Sequence, residues 1–277
     1  MAYDYINELD KVRDYYAGDP LQKRFSALIT GETNAGKTFL LRTARKPIHI
    51  DSFDPGGTKC LKDLIEKGEV IADTQWEADD PFSPATFAKW KRAIDLRFQI
   101  KYFDHFGTYC IDSATTFGEA VMNDVLNSRS RAGETPMRNR DYMPQKTEMS
   151  NYIKKLMRIP CDFILTGHLR ENRKVLSIDS STGVVREEVN YRFYTTGQAV
   201  VTIPLLFDEI YVIVGKEGRN GPERKMLIDS LGTYIARSRL KQAGKLDAFE
   251  EPDIKKILRK AGLTWDDKPA LPNETVK

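Results

Sequence analysis

The stretch GETNAGKT at residues 31–38, set between the apolar run FSALIT and a helix-forming run, constrains this chain more than any other feature. Glycine at 31 and 36 lets successive backbone N–H groups turn inward around phosphate oxygens. Lys37 is then placed to reach the β- and γ-phosphates, and Thr38 to ligate Mg²⁺. The helix that starts at Lys37 adds the positive end of its dipole. The residues expected to line a nucleotide are Gly31, Glu32, Thr33, Asn34, Ala35, Gly36, Lys37, Thr38 and the following Phe39. At average residue frequencies the pattern arises by chance in about one chain in a hundred of this length. Its position between an apolar strand and a helix makes chance a poorer explanation still.

The order of elements supports a sheet behind that loop. Strands are expected at residues 25–30, 47–51, 108–112 and 161–166, with helices at 37–45, after Ser83 and Pro84, from 113 to about 126, and up to about 158. Alternation of this kind predicts an α/β fold with a mostly parallel central sheet flanked by helices. Beyond Leu169 the chain reads as β-hairpin-rich, with turns expected at 180–183 and 218–222. Three units follow from this reading: an N-terminal helical segment at 1–24, a P-loop domain at 25–240, and a helical or flexible tail at 241–277 whose last residues are expected to be disordered. Ile6, Leu9, Val12 and Tyr16 give residues 3–17 helical spacing, and this helix is expected to pack on the main domain.

A phosphate loop of this type works with a carboxylate at the end of a neighbouring strand. Asp112 closes the run TYCID and is the candidate to hold Mg²⁺ together with Thr38, although Asp is also a favoured helix cap. The second strand ends in IDSFDPGG and offers Asp51 and Asp54 as groups to orient an attacking water. Asp54 is preferred, with a plain DPGG turn as the competing reading. Thr166 and His168 leave an apolar strand at the edge where parallel sheets bind ligands, so His168 is a candidate phosphate sensor, although spacing alone favours a structural histidine.

Arg129, Arg131, Arg138 and Arg140 sit in one polar loop, with Tyr142 following, and form a candidate contact for nucleic acid or a simply solvated surface. Arg237 and Arg239 are candidates for an arginine finger, or for charges guarding an edge strand. The formal charge of +3 over 277 residues permits a nucleic-acid partner without demanding one. No apolar run approaches the ~20 residues of a membrane helix. The acidic N-terminal stretch suits neither a signal nor a transit peptide. Cys110 and Cys161 fall in core strands, which fits reduced thiols and a cytoplasmic location.

Taken in order, the phosphate loop, IDSFDPGG at 50–57, CIDS at 110–113, Asp141 with Tyr142, LTGH at 165–168, Phe207 with Asp208 and Ala236 with Arg237 resemble a known family. It is that of the phage-encoded, AAA-like P-loop ATPases, relatives of the RecA recombinase core that include single-strand annealing proteins. The resemblance covers residues 25–239. It implies a RecA-like ATPase core that uses ATP and Mg²⁺, with Asp112 as metal acid, an acid after the second strand orienting water, and His168 as sensor. It also implies a bacteriophage origin and action on single-stranded DNA in recombination or replication, by a homo-oligomeric ring or filament in which one subunit's arginine meets the next subunit's nucleotide. RecA-type cores carry a glutamate after the second strand, whereas this chain offers Phe53 and Asp54. A nucleotide-gated interaction protein, a loader or packaging accessory, is the competing reading.

Overall fold

Helix α1 (Tyr5–Gly18) precedes β1 (Ser26–Gly31), a strand buried along its whole length that runs into the phosphate loop and α2 (Lys37–Leu40). Alternation continues through β2 (Ile48–Ser52), α3 (Lys62–Glu66), β3 (Val70–Asp73), α4 (Thr86–Gln99), β4 (Thr108–Asp112), α5 (Ala114–Asn127), α6 (Tyr142–Leu156) and β5 (Asp162–Ile178). Then come β6 (Val185–Phe193), α7 (Ala199–Thr202), β7 (Glu209–Gly218), β8 (Gly221–Leu227), β9 (Arg237–Ser238), α8 (Leu240–Ala243), β10 (Phe249–Glu250) and α9 (Ile254–Ala261). The computed structural model describes residues 5–19, 22–178, 185–195, 199–218, 221–243 and 246–272.

The sheet order is β10-β8-β7-β1-β5-β4-β2-β3, and every neighbouring pair from β7 to β3 is parallel. Antiparallel β8 and β10 extend the β7 side, while β6 pairs with the outer part of β5 and β9 with β7. The two-residue period of each strand divides the apolar side chains between two layers. Leu28, Tyr109, Ile111, Phe163 and Leu165 join Phe87 and Trp90 of α4, Phe117 of α5 and Met149 of α6. On the other face Ala27, Ile29, Cys110 and Ile164 meet Leu40, Leu64 and the α9 residues Ile254, Ile257 and Leu258. Both buried thiols are pushed up by desolvation, that of Cys161 to about 12, so they behave as small apolar groups.

Several expectations need correction. α1 forms, but none of its residues is buried: Ile6, Leu9, Val12 and Tyr16 are all about half exposed or more. Helices α4 to α6 on one face and α2 and α9 on the other already cover the sheet, which leaves no apolar layer for α1. α4 starts at Thr86 rather than at Pro84, because Asp79 Oδ1, not Ser83, accepts the Ala85 and Thr86 N–H groups. β5 runs far past Thr166, since pairing with β6 satisfies its outer backbone. The turn expected at 180–183 and the disorder expected at the extreme C-terminus (273–277) lie outside the described residues. The second turn lies partly outside them, and the Gly218–Gly221 pair closes that hairpin. Earlier in the tail, α9 is capped by Asp253, and Lys268 returns to bond the Lys46 carbonyl.

Candidate functional site

Register brings the ends of the parallel strands level. Gly31 pairs with His168 of β5 and Ile213 of β7, and Ser52 of β2 pairs with Asp112 of β4. At Gly31 a methyl group would lie 3.0 Å from the Ala35 Cβ and 3.1 Å from the Ile213 carbonyl oxygen, so a side chain there would crowd the loop against β7. Asn34 and Gly36 both adopt positive φ, 64° and 97°, and fold the loop back before α2. Lys37 is buried, and its ammonium donates to the carbonyls of Gly31 at 3.1 Å and Glu32 at 2.9 Å. An ammonium has three donors, so one remains for a phosphate oxygen. Burial lowers the Lys37 pKa, while Asp112 and then Asp54 counteract.

Asp112 lies across the loop from Lys37. Thr38 Oγ1 donates to its Oδ2 at 2.6 Å and Thr166 Oγ1 to its Oδ1. Complete burial raises the Asp112 pKa; the Thr166 and Thr38 hydroxyls and Lys37 oppose that rise, and Asp54 adds to it. A carboxylate oxygen touching a hydroxyl oxygen is a hard, all-oxygen donor pair of the kind Mg²⁺ takes, and Lys37 is the cation beside it. Thr38 and Asp112 therefore fit the metal expected from the sequence.

Asp54 follows β2 on the same edge. Thr116 Oγ1 donates to its Oδ1 at 2.5 Å and Ser113 Oγ at 2.9 Å, and His168 Nε2 stands 3.6 Å from its Oδ2. Burial alone would raise the Asp54 pKa, but His168, Thr116 and Ser113 together hold it below the ordinary value. The outcome is an ionised acid beside an imidazole, with a turn behind it braced by Glu77, which accepts from Ser52 Oγ at 2.6 Å and from the Gly56 N–H at 2.9 Å. Glu77, Thr116 and the exposed Glu119 escaped the sequence reading. Glu119, whose pKa desolvation raises and which senses Asp54 and His168, sits mid-helix with no local pattern to mark it.

Asp51, the other acid of the β2 end, is directed elsewhere. It is fully buried and accepts from Trp76, Trp90, Arg97, Tyr109 and His49, so it organises the core under α4. His49, Asp51 and Asp73 cluster closely enough to suggest a metal, but Arg97 already bonds both carboxylates and Tyr102 bonds His49.

The arginine candidates separate in the same way. Arg129 and Arg131 both bond the buried Asp141, at 2.6 Å and 2.8 Å, while Arg138 and Arg140 are exposed. Arg237 donates to the carbonyls of Pro204 and Phe207, and Arg239 pairs with Asp208 at 2.6 Å. None of these six hydrogen-bonds the phosphate loop among the described residues.

A phosphate loop at the edge of a helix-covered, mostly parallel sheet, with a buried acid on the threonine that follows its lysine, defines a P-loop nucleotide-binding protein of the ATPase kind. Residues 23–240 match the family model described as an AAA domain, and the chain belongs to that family. Among solved structures, a KaiC-like protein from the hyperthermophilic archaeon Pyrococcus horikoshii is similar over 75% of this chain and 80% of that one, with 12% identity and a TM-score of 0.40. No curated protein matches the chain. No helix among the described residues is long and apolar enough to cross a membrane.

Proposed function

We propose that the protein is a Mg²⁺-dependent ATPase in which Lys37 binds the phosphates, Thr38 and Asp112 hold the metal, and Asp54 with His168 orients the attacking water. The observation that carries this reading is the meeting of Thr38, Asp112 and Thr166 in one hydrogen-bonded set beside Lys37. Mg²⁺ supplies charge neutralisation at the transferring phosphoryl group. The residues of the chain do the rest: Lys37 orients the phosphates, and Asp54, ionised at neutral pH, accepts a hydrogen bond from water. ATP hydrolysis measured with Mg²⁺ and with a chelator tests it, and turnover unaffected by chelation would refute it.

Asp54→Asn separates binding from hydrolysis. The asparagine keeps the shape and the bonds from Thr116 and Ser113 but cannot take a proton, so turnover is expected to fall about 100-fold. ATP affinity should stay within about threefold, because the side chain acts on water rather than on phosphate. Rapid-quench hydrolysis beside equilibrium ATP binding reads both quantities.

The resemblance extends the proposal to a phage-type oligomer acting on single-stranded DNA. ATP hydrolysis stimulated by single-stranded DNA would support that extension. The pairing of Arg129 and Arg131 with Asp141 favours the competing reading, a nucleotide-gated partner protein, because it spends two of the four loop charges inside the fold. Hydrolysis indifferent to DNA, with nucleotide-dependent partner capture, would select that alternative.

A further inference from the structure

An arginine does reach the phosphate loop, and it is one the motifs do not point to. Arg224 lies on β8, opposite Gly215 of β7, two strands from β1. Its side chain crosses back over the loop, and Nη2 donates to the Asn34 carbonyl at 3.3 Å. A methyl group on Gly36 would sit 3.3 Å from the Arg224 Cδ and 3.4 Å from its Nε and Cζ, so the guanidinium stem lies flat against the loop. Arg224 is exposed, and among the described residues no carboxylate pairs with it. By contrast Arg42, Arg97, Arg131 and Arg239 each bond an acid. An arginine has five N–H donors, and this one spends a single donor on the loop.

We infer that Arg224 is a nucleotide-binding residue acting in cis, with its charge on the α- and β-phosphate end of a bound nucleoside triphosphate. The inference rests on the nucleotide-binding reading above. The sides of the loop decide which phosphates it meets. Asp112, Asp54 and His168 belong to β4, to the end of β2 and to β5, all on one side of β1. Arg224 approaches from β8, on the other side, against residues 34–36, whose backbone N–H groups cradle the α- and β-phosphates in such loops. A guanidinium there meets phosphate oxygens present in both ATP and ADP, and charge-assisted bonds to phosphate are among the stronger ones.

The test is equilibrium binding of ATP and of ADP to the full chain. Arg224→Ala is expected to weaken both nucleotides by about ten- to thirtyfold, by the same factor for each. Arg224→Gln keeps a donor for the Asn34 carbonyl but has no charge, and should bind as poorly as the alanine variant; Arg224→Lys should recover part of the loss. Lys225→Ala removes the same charge from the next position, whose side chain alternates to the other face of β8, and should leave affinity unchanged. Arg224→Gln binding like the wild type would reduce Arg224 to a brace of the loop and overturn the inference. Loss confined to ATP would overturn it as well, by placing the charge at the γ-phosphate. Wild-type protein that binds neither nucleotide would overturn the nucleotide-binding reading itself, whereas intact wild-type binding with an unaffected Arg224→Ala overturns the arginine assignment alone.

Discussion

Lys37→Ala is expected to weaken ATP binding by about 100-fold or more and to abolish hydrolysis. The ammonium is held in place before any ligand arrives: two of its donors are anchored on the Gly31 and Glu32 carbonyls, so it loses little freedom when phosphate binds. Hydrogen bonds to a charged group contribute ~1.5–3 kcal/mol each. At the upper end of that range, losing the bond that its one remaining donor makes to phosphate corresponds to roughly two orders of magnitude in affinity. The fold should tolerate the change. Burial disfavours the charge of Lys37, so removing it relieves desolvation while giving up two carbonyl contacts, and the thermal midpoint should move by less than about 5 °C. Calorimetric titration with ATP beside a thermal melt reads both outcomes. Near-normal ATP affinity in a folded Lys37→Ala protein would remove the phosphate-loop assignment.

Asp51→Asn is expected to cost stability rather than binding, by about 3 kcal/mol or more. The carboxylate accepts from the indole N–H groups of Trp76 at 3.2 Å and Trp90 at 2.7 Å, from Arg97 at 2.8 Å, from Tyr109 and from His49 at 2.8 Å, and nearly all of this is buried. Asparagine has nearly the same shape but presents an NH₂ group to these donors, leaving a donor against a donor and Arg97 without its buried counter-charge. Such a loss lowers the thermal midpoint by ~10 °C in a protein of this size. The pH dependence has a definite sign. Burial alone would raise the Asp51 pKa, but His49, Arg97 and Tyr109 outweigh it and hold the carboxyl far below the unfolded value. The stabilisation is therefore present above about pH 4 and is lost as pH falls toward the folded pKa. Urea unfolding at pH 7 and at pH 3 should show a smaller gap between wild type and Asp51→Asn at the acid end. Equal gaps at both would assign the effect to packing.

The parallel sheet and the loop at residues 31–38 were legible because both depend on local pattern: apolar strands of four to six residues and glycines at fixed spacing. Placement of Asp112 at a strand end was legible for the same reason. Asp54 and Asp51 are three residues apart at the end of one strand, and nothing near them in the chain says which turns toward the phosphate-loop edge of the sheet. The pleat decides it: Asp51 lies within β2 with its side chain turned into the layer under α4, whereas Asp54 follows the strand's end and comes under Ser113, Thr116 and His168. Apart from His49, their side-chain partners are 25 to 114 positions away in sequence, from Trp76 for Asp51 to His168 for Asp54.

Charge behaves likewise. Arg129, Arg131, Arg237 and Arg239 looked available in the sequence because a cation's partner is a tertiary fact; Asp141, the Pro204 and Phe207 carbonyls and Asp208 engage them. Arg224 carried no motif, yet the order of the strands carries it to the loop from 190 residues away. The helical spacing of α1 was legible too, but not its exposure, since whether a face is covered depends on what else has filled the sheet. Amino-acid order was enough for the phosphate loop and the strands around it, because backbone geometry and side-chain period are short-range. Which acids and arginines surround that loop was settled only by the packed sheet, because desolvation and ion pairing act between residues that the chain itself keeps far apart.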